Sequence, residues 1–454
     1  MRNRLLPLAM ALVTCAIALT LTTSPSTGAN ALVEPQVVDR AAEAGMDVGP
    51  TDTWAGCKGD WNGDGREDVA ITRHMKSEGA LFTQDGAGAF NRRLAGIIMP
   101  KVVRRTSTPQ IPKHSGVDRH GCAMVDIDND NDMDMYTSAG RYASNRLKHS
   151  EIDNELWIQG SDGSVVDMAI AYGVNEPCQR SRGVITPDLT GDGYPEVIIG
   201  AQFERNEPDD CDSLANHTYL EQAHVYLNKG DAGRDGVWDG LRLAPEFNVS
   251  AKNFGAAMLL EWDQDRDGDP DVLALSFPDN KPLLMRNNAG SSFTEVSQTA
   301  GIKLPKMNYA SVGDVTGDGR DDLVYIDNNG VYYRAATATG VSTVSVLIGT
   351  LPGNADGRHV ALGDVDGDGD TDVYGQTTGT TGNPDDILYL NNGAGNGYTP
   401  MTVPSAAGIS NDVVGITVGG LTQFVVTNGG NGEEKDLPPG PVQLIALVSG
   451  SSGS

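Results

Sequence analysis

One nine-residue acidic pattern, D-x-[DNT]-x-D-[GN]-x-x-[DE], recurs six times between Asp60 and Asp372, each time running into an apolar residue. Nothing else in the chain constrains its fold as much. The first copy is Asp60, Asn62, Asp64 and Asp68, followed by Asp126, Asp128, Asp130 and Asp134, and by Asp188, Thr190, Asp192 and Glu196. The others are Asp263, Asp265, Asp267 and Asp271; Asp314, Thr316, Asp318 and Asp322; and Asp364, Asp366, Asp368 and Asp372. Successive copies start 66, 62, 75, 51 and 50 residues apart, the size of a four-stranded sheet with its loops.

Side-chain oxygens at positions 1, 3, 5 and 9 of a tight loop can converge on one hard cation. The backbone carbonyl at position 7 joins them, here from Arg66, Asp132, Tyr194, Asp269, Arg320 and Asp370. Calcium suits such a set, because it takes six to eight oxygens in irregular geometry. Position 6 must turn in the left-handed region, and it is Gly in five copies and Asn131 in one. An EF-hand opens similarly but needs a bidentate Glu at position 12, where this chain has Ile71, Thr137, Ile199, Ala274, Tyr325 and Gly375. We therefore expect about six structural calcium ions. The five-carboxylate loops at Asp126, Asp263 and Asp364 should bind most tightly, and those with Thr190 and Thr316 more weakly.

Charge supports this reading. The chain has 61 acids and 33 Lys and Arg, for a formal net charge of −28. Twenty-four of those acids occupy loop positions 1, 3, 5, 7 and 9, leaving 37 against the 33 bases. Such acidity excludes a nucleic-acid binder, whose affinity comes from neutralising phosphates.

The runs after each loop, such as Val197-Ile198-Ile199 and Leu323-Val324-Tyr325-Ile326, read as strands, so each loop joins a hairpin. Third strands share a look, as in His224–Asn228 and Leu283–Asn288, and a fourth element follows, as in Phe293–Val296. Gly415–Gly420 with Phe424–Thr427 occupies the place of a seventh hairpin without acidic ligands. Val442–Val448 supplies its third strand, and Pro35–Asp39 at the other end of the chain its fourth. The expectation is an all-β, seven-bladed propeller over residues 32–454, closed by strands from both ends; six or eight blades are the lesser options.

The loops resemble the FG-GAP and VCBS-type repeats of integrin-α propellers and secreted bacterial proteins. The element with spacing F-x-x-V-x-x-x-A-G-I at Phe293–Ile302 is similar to that of the cartilage acidic protein group. Such families include adhesins, lectins and polysaccharide lyases, so the resemblance implies the fold and the metal more than an activity.

Residues 1–31 read as a secretory signal: Arg2 and Arg4, then the apolar run Leu5–Leu21, then Ala29-Asn30-Ala31. A secreted monomer with no membrane span follows, in which Cys57, Cys122, Cys178 and Cys211 form disulfides, expected as 57 to 122 and 178 to 211. On the face opposite the acidic loops the sequence is irregular and basic. Outside the metal loop, residues 91–150 hold ten Lys and Arg against one acid, Asp118. Arg73, His74, Arg119, His120, Arg141, Tyr142, Arg182 and Arg205 are the candidate ligand residues. The partner they suggest is an anionic polysaccharide or an extracellular protein, in a binding or cell-adhesion role. The alternative is a polysaccharide lyase, for which His114, His120, Arg141, Tyr142 and His149 are candidates; a purely binding protein is favoured.

Overall fold

The computed structural model describes residues 35–448, apart from 75–77, 94–117, 141–152, 177–178, 202–222, 248–254, 277–280, 300–301, 354, 380–382, 394–396 and 431–438. Gln36–Val448 forms one compact unit. Among the described residues no helix is long and apolar enough to cross a membrane.

Among the described residues this unit holds seven four-stranded antiparallel sheets and a two-stranded ribbon, Ala336–Thr337 with Gly340–Val341. Blade 1 runs Thr53–Gly59, Asp68–Arg73, Ala80–Gln84 and Phe90–Arg93, and blade 2 runs Arg119–Val125, Asp134–Ala139, Glu155–Gln159 and Val165–Asp167. Blade 3 comprises Ser181–Ile185, Val197–Ala201, His224–Asn228 and Leu241–Leu243; blade 4, Ala256–Trp262, Asp271–Ser276, Pro282–Asn287 and Phe293–Glu295. Blade 5 comprises Tyr309–Gly313, Asp322–Ile326, Gly330–Arg334 and Val346–Thr350; blade 6, Asp356–Gly363, Asp372–Thr378, Asp386–Asn391 and Tyr398–Val403.

Blade 7 takes Ile409–Val418, Leu421–Gly429 and Gln443–Val448 from one end of the chain and Gln36–Asp39 from the other, paired in the register Gln36 with Val448 to Asp39 with Ile445. First strands of successive blades touch in order, and that of blade 7 touches that of blade 1, so the ring closes. Closure leaves no inner strand edge open to another chain.

The core lies between blades. Second strands are buried on both sides, which is why they read as continuous apolar runs. Their alternate residues serve opposite interfaces. In blade 1, Val69 and Ile71 pack with Ile416 and Val425 of blade 7, while Ala70 packs with Met135 and Trp157 of blade 2. The same division around the ring gives each of the seven interfaces its own cluster. The expected disulfide Cys57–Cys122 joins the first strands of blades 1 and 2, with Cα atoms 5.6 Å apart. Cys178 and Cys211 lie outside the described residues.

Six acidic loops and the opposite mouth

Every acidic loop connects the first two strands of its blade, so all six emerge at one end of the ring. Their backbones fold alike. In each, one first-position carboxylate oxygen accepts the N–H of position 6, at 2.7–3.2 Å. Position 6 has positive φ in all six, as the sequence requires. Position 4 does too, a feature the sequence reading missed although Gly63, Gly191, Gly317, Gly367 and Asn129 signal it; Arg266 gives no hint.

The ninth-position carboxylate does the most structural work. One oxygen accepts the position-2 N–H of its own loop in blades 2 to 6. In blades 1, 2, 4, 5 and 6 the other oxygen accepts an N–H at the end of the third strand, at 2.7–2.8 Å. Burial pushes these groups up, Asp68 to about 6, Asp134 to about 8 and Glu196, Asp271 and Asp372 to about 7, with neighbouring loop carboxylates adding to the shift.

A cation fits this arrangement. Oxygens of positions 1, 3 and 9 lie within 4.8 Å of one another in the loops of Asp126, Asp263 and Asp364, the three richest in carboxylate. The third-position atoms Asp128 Oδ1, Asp265 Oδ1 and Thr190 Oγ1, with the ninth-position Glu196 Oε1, are buried and have no hydrogen-bond partner. Oxygens withheld from both water and protein are costly unless something positive sits among them. Calcium would supply that charge, held by positions 1, 3, 5 and 9 and the position-7 carbonyl. In the loops of Asp60 and Asp314, Arg66 and Arg320 fold onto the fifth-position carboxylates Asp64 and Asp318.

Two further features were not read from the sequence. Asp231–Asp239, between the third and fourth strands of blade 3, repeats the loop's hydrogen bonds, with Asp231 accepting from Asp235 and Gly236 N–H groups. Its third position is Gly233 and Asp239 is exposed, so it lacks the buried donors of the other six. The shared Asn ending the third strands is a tether between blades. Asn228, Asn287 and Asn391 donate to the position-2 carbonyls of Ile127, Leu189 and Val315 in the loop of the preceding blade.

The opposite mouth is built where first strands begin and second strands end. In six blades the first strand starts with a bulge, at Thr53/Gly56, Arg119/Gly121, Ser181/Val184, Ala256/Met258, Gly357/Val360 and Ser410/Asp412. Bulges re-aim side chains. Half-buried Trp54 stacks on His74, with ring centres 4.7 Å apart, and lies 4.4 Å from the His120 ring. Both histidines meet Asp118, His74 Nε2 at 3.2 Å and His120 Nε2 at 3.0 Å from Oδ1. Burial lowers His120 to about 3, with Arg182 adding, and lowers His74. Burial alone would raise the Asp118 carboxyl, but His120, His74 and Arg182 hold it below the usual carboxylate range. Arg182 is pushed down to about 9 by burial and by Arg180. Further round, the Tyr309 ring lies 4.0 Å from His359, whose Nδ1 is 3.0 Å from Asp412 Oδ1.

An FG-GAP-like repeat profile matches residues 60–137, 263–325 and 314–375, segments that hold five of the six acidic loops. The chain carries FG-GAP-like repeats in a seven-bladed, integrin-α-like propeller. The finer resemblance to cartilage acidic proteins is not shown by this match. No curated protein matches the chain. Among 291 matching solved chains is an Agrocybe aegerita lectin that recognises non-reducing terminal N-acetylglucosamine. It is 15% identical, with 88% of this chain and 87% of that one covered and a TM-score of 0.47, too distant to carry anything over.

Within this FG-GAP-like propeller, the residues expected at the ligand face divide. His74, His120 and Arg182 gather at the mouth. Arg119 does not reach it: its guanidinium is fully buried, held by Glu155 through two 2.7 Å bonds. It is an internal brace, separated by the bulge at Arg119/Gly121 from His120, which is buried against Trp54 and Asp118. Arg73 is also buried, 6% exposed, at the end of the second strand of blade 1. Arg141, Tyr142 and Arg205, with His114 and His149, lie outside the described residues.

Proposed function

We propose that this chain is a secreted, calcium-stabilised binding module that holds an anionic glycan at the mouth opposite its metal loops. The observation that carries the reading is the crowding there. Half-buried Arg182, bonded to Gly140 O and Ser181 O, feels the like charge of Arg180 at the mouth that also holds half-buried Trp54, so the mouth offers cationic groups to an anionic partner and an aromatic face that can cover a sugar ring. Six loops of one geometry at the other end, with every ligand position filled by protein, suit a structural role for the calcium. The Cys57–Cys122 disulfide supports an oxidising, extracellular destination, and residues 1–31 would be the signal that sends the chain there. As a self-closed ring the chain would act as a monomer.

The test is an array of acidic and neutral glycans probed with the calcium-loaded protein. Acidic glycans should be retained, and Trp54→Ala should weaken retention with an unchanged melting temperature. Retention of proteins but not glycans would move the partner to an extracellular protein, and retention indifferent to Trp54 would remove this mouth from the reading. Incubation with polyuronates, followed for an ultraviolet-absorbing unsaturated product, separates binding from the lyase alternative.

A further inference from the structure

Two imidazoles and a carboxylate meet at the mouth in a way that the calcium loops do not explain. His74 directly follows the second strand of blade 1, and Asp118 and His120 flank the start of blade 2. The backbone fixes all three. His74 N–H donates to Asp52 O at 2.7 Å, and Gly140 N–H donates to Asp118 O at 2.5 Å. Gly140 also leaves the space that the His120 ring occupies, since a Cβ there would lie 1.9 Å from His120 Cδ2. One ligand atom from each residue lies within 4.8 Å of the other two, and the side chains are 12%, 5% and 2% exposed.

We propose that His74 Nε2, Asp118 Oδ1 and His120 Nε2 form a transition-metal site of the zinc type, a second class of metal centre at the end of the ring remote from the calcium loops. Two neutral imidazoles and one carboxylate are borderline-soft donors that suit zinc and disfavour calcium, which takes oxygens. Bond lengths of about 2.0–2.2 Å to one ion place donor atoms roughly 3–3.5 Å apart. The observed separations from Asp118 Oδ1, 3.2 and 3.0 Å, need little adjustment. In the metal-free molecule the same contacts serve as hydrogen bonds from Nε2. Neither Nδ1 has a hydrogen-bond partner, so nothing blocks the proton there, and shifting it from Nε2 to Nδ1 gives up only the bonds to Asp118 and frees Nε2 for the ion. Three protein ligands leave a fourth position for water or for an anionic group of a bound partner. Arg182 in the same neighbourhood favours an anion there. The inference goes beyond glycan binding and does not depend on it.

The experiment titrates Zn2+ into the calcium-saturated full chain against a chromophoric zinc chelator, with excess calcium keeping the acidic loops occupied. The expected result is one zinc per chain. His74→Gln and Asp118→Asn should each weaken it by more than about tenfold, the loss common when even an outer-shell partner is removed. Bound calcium should be unchanged in both variants. Co2+ in place of Zn2+ gives a reading that needs no variant: visible absorption of a low-symmetry imidazole-ligated ion supports the site, and the spectrum of hexa-aqua cobalt overturns it. Absence of stoichiometric zinc, or equal affinity in wild type and both variants, overturns it as well.

Discussion

Blade 7 and blades 1 to 6 solve the same turn differently. In blade 7 the first two strands, of ten and nine residues, meet through Gly419-Gly420, both at positive φ, with no charged group in the turn. In the other six the hairpin opens into a loop of carboxylates, and the first strands are five to eight residues long. The blade 7 hairpin is held by its ladder hydrogen bonds, packing and scattered side-chain bonds such as Asn428 Nδ2 to Gln443 Oε1, without a carboxylate loop. Its neighbours give up ladder length for a loop whose ninth-position carboxylate, in five of them, binds an N–H at or just past the third strand and whose position-2 carbonyl, in blades 2, 3 and 5, accepts from an Asn of the next blade. The acidic loop therefore joins blades as well as strands, at the cost of buried negative oxygens that call for a cation.

The sharpest way to break this comparison is to remove calcium. Saturation a hundredfold above Kd stabilises by about 2.7 kcal/mol per site, so calcium in all six loops, as proposed, would dominate the stability of the ring. Chelation should lower the melting temperature by tens of degrees on the order-of-magnitude scale for a chain of this size, read by calorimetry. The effect should depend on pH. In the metal-free protein the ninth-position carboxyls titrate above their ordinary range, near 6 to 8. A raised folded-state value means their contribution is present when protonated and lost as pH rises through that window. Chelated protein should thus melt higher near pH 5 than near pH 8, whereas calcium-loaded protein should lose stability as the pH falls, because protons compete with the ion. A chelated protein that is more stable at the higher pH would contradict this account of the loops.

A single loop should show the same inversion on a smaller scale. Asp128→Ala removes a third-position oxygen that is buried without a partner. With calcium present it should cost about 2–4 kcal/mol, as a buried polar or ionic contact does when one partner is removed. In chelator it should cost nothing or stabilise slightly, because one of five crowded carboxylates is gone. Equal losses in both conditions would show that Asp128 acts through the apo fold rather than through the ion.

Much of this was legible in the sequence because it is local. The loop motif, the apolar second strands and the Gly-rich seventh turn each lie within a dozen residues, and together they favoured seven blades over six or eight, closed by Pro35–Asp39. What escaped reading depends on partners far along the chain. Asn287 looks like the end of a strand until Leu189, 98 residues away, is seen to accept its Nδ2 proton. Arg119 and His120 are adjacent basic residues in sequence, and only the bulge at the start of the first strand of blade 2 separates them, one sealed against Glu155 and the other packed on Trp54. Left-handed Arg266 could not have been anticipated from residue type at all.

The tether between blades offers a third test. Asn287→Ala leaves Leu189 O buried without its side-chain donor, at an expected cost of about 1–3 kcal/mol. Because Leu189 N–H is held by Glu196, the variant should also weaken calcium at the Asp188 loop, seen as one ion lost first on graded chelation. Unchanged calcium affinity with lowered stability would confine the tether to packing.

The smallest expected effect concerns blade 7. Gly420 has φ of +89° and nothing within 4 Å of where a Cβ would stand, so Gly420→Ala introduces backbone strain without a steric clash. The left-handed region costs an L-residue about 1–2 kcal/mol. Since this turn carries no acidic ligand, the loss should be the same with calcium and in chelator, measured as the denaturant midpoint shift at constant m-value. That equality carries the comparison: if the seventh hairpin stands on its own ladder, its defects are indifferent to calcium, whereas defects in the other six change size or sign with it. A loss confined to the calcium-loaded protein would mean that blade 7 leans on the neighbouring loops through contacts such as Gln84 to Thr417 O, and that the ring stands or falls as one metal-dependent unit.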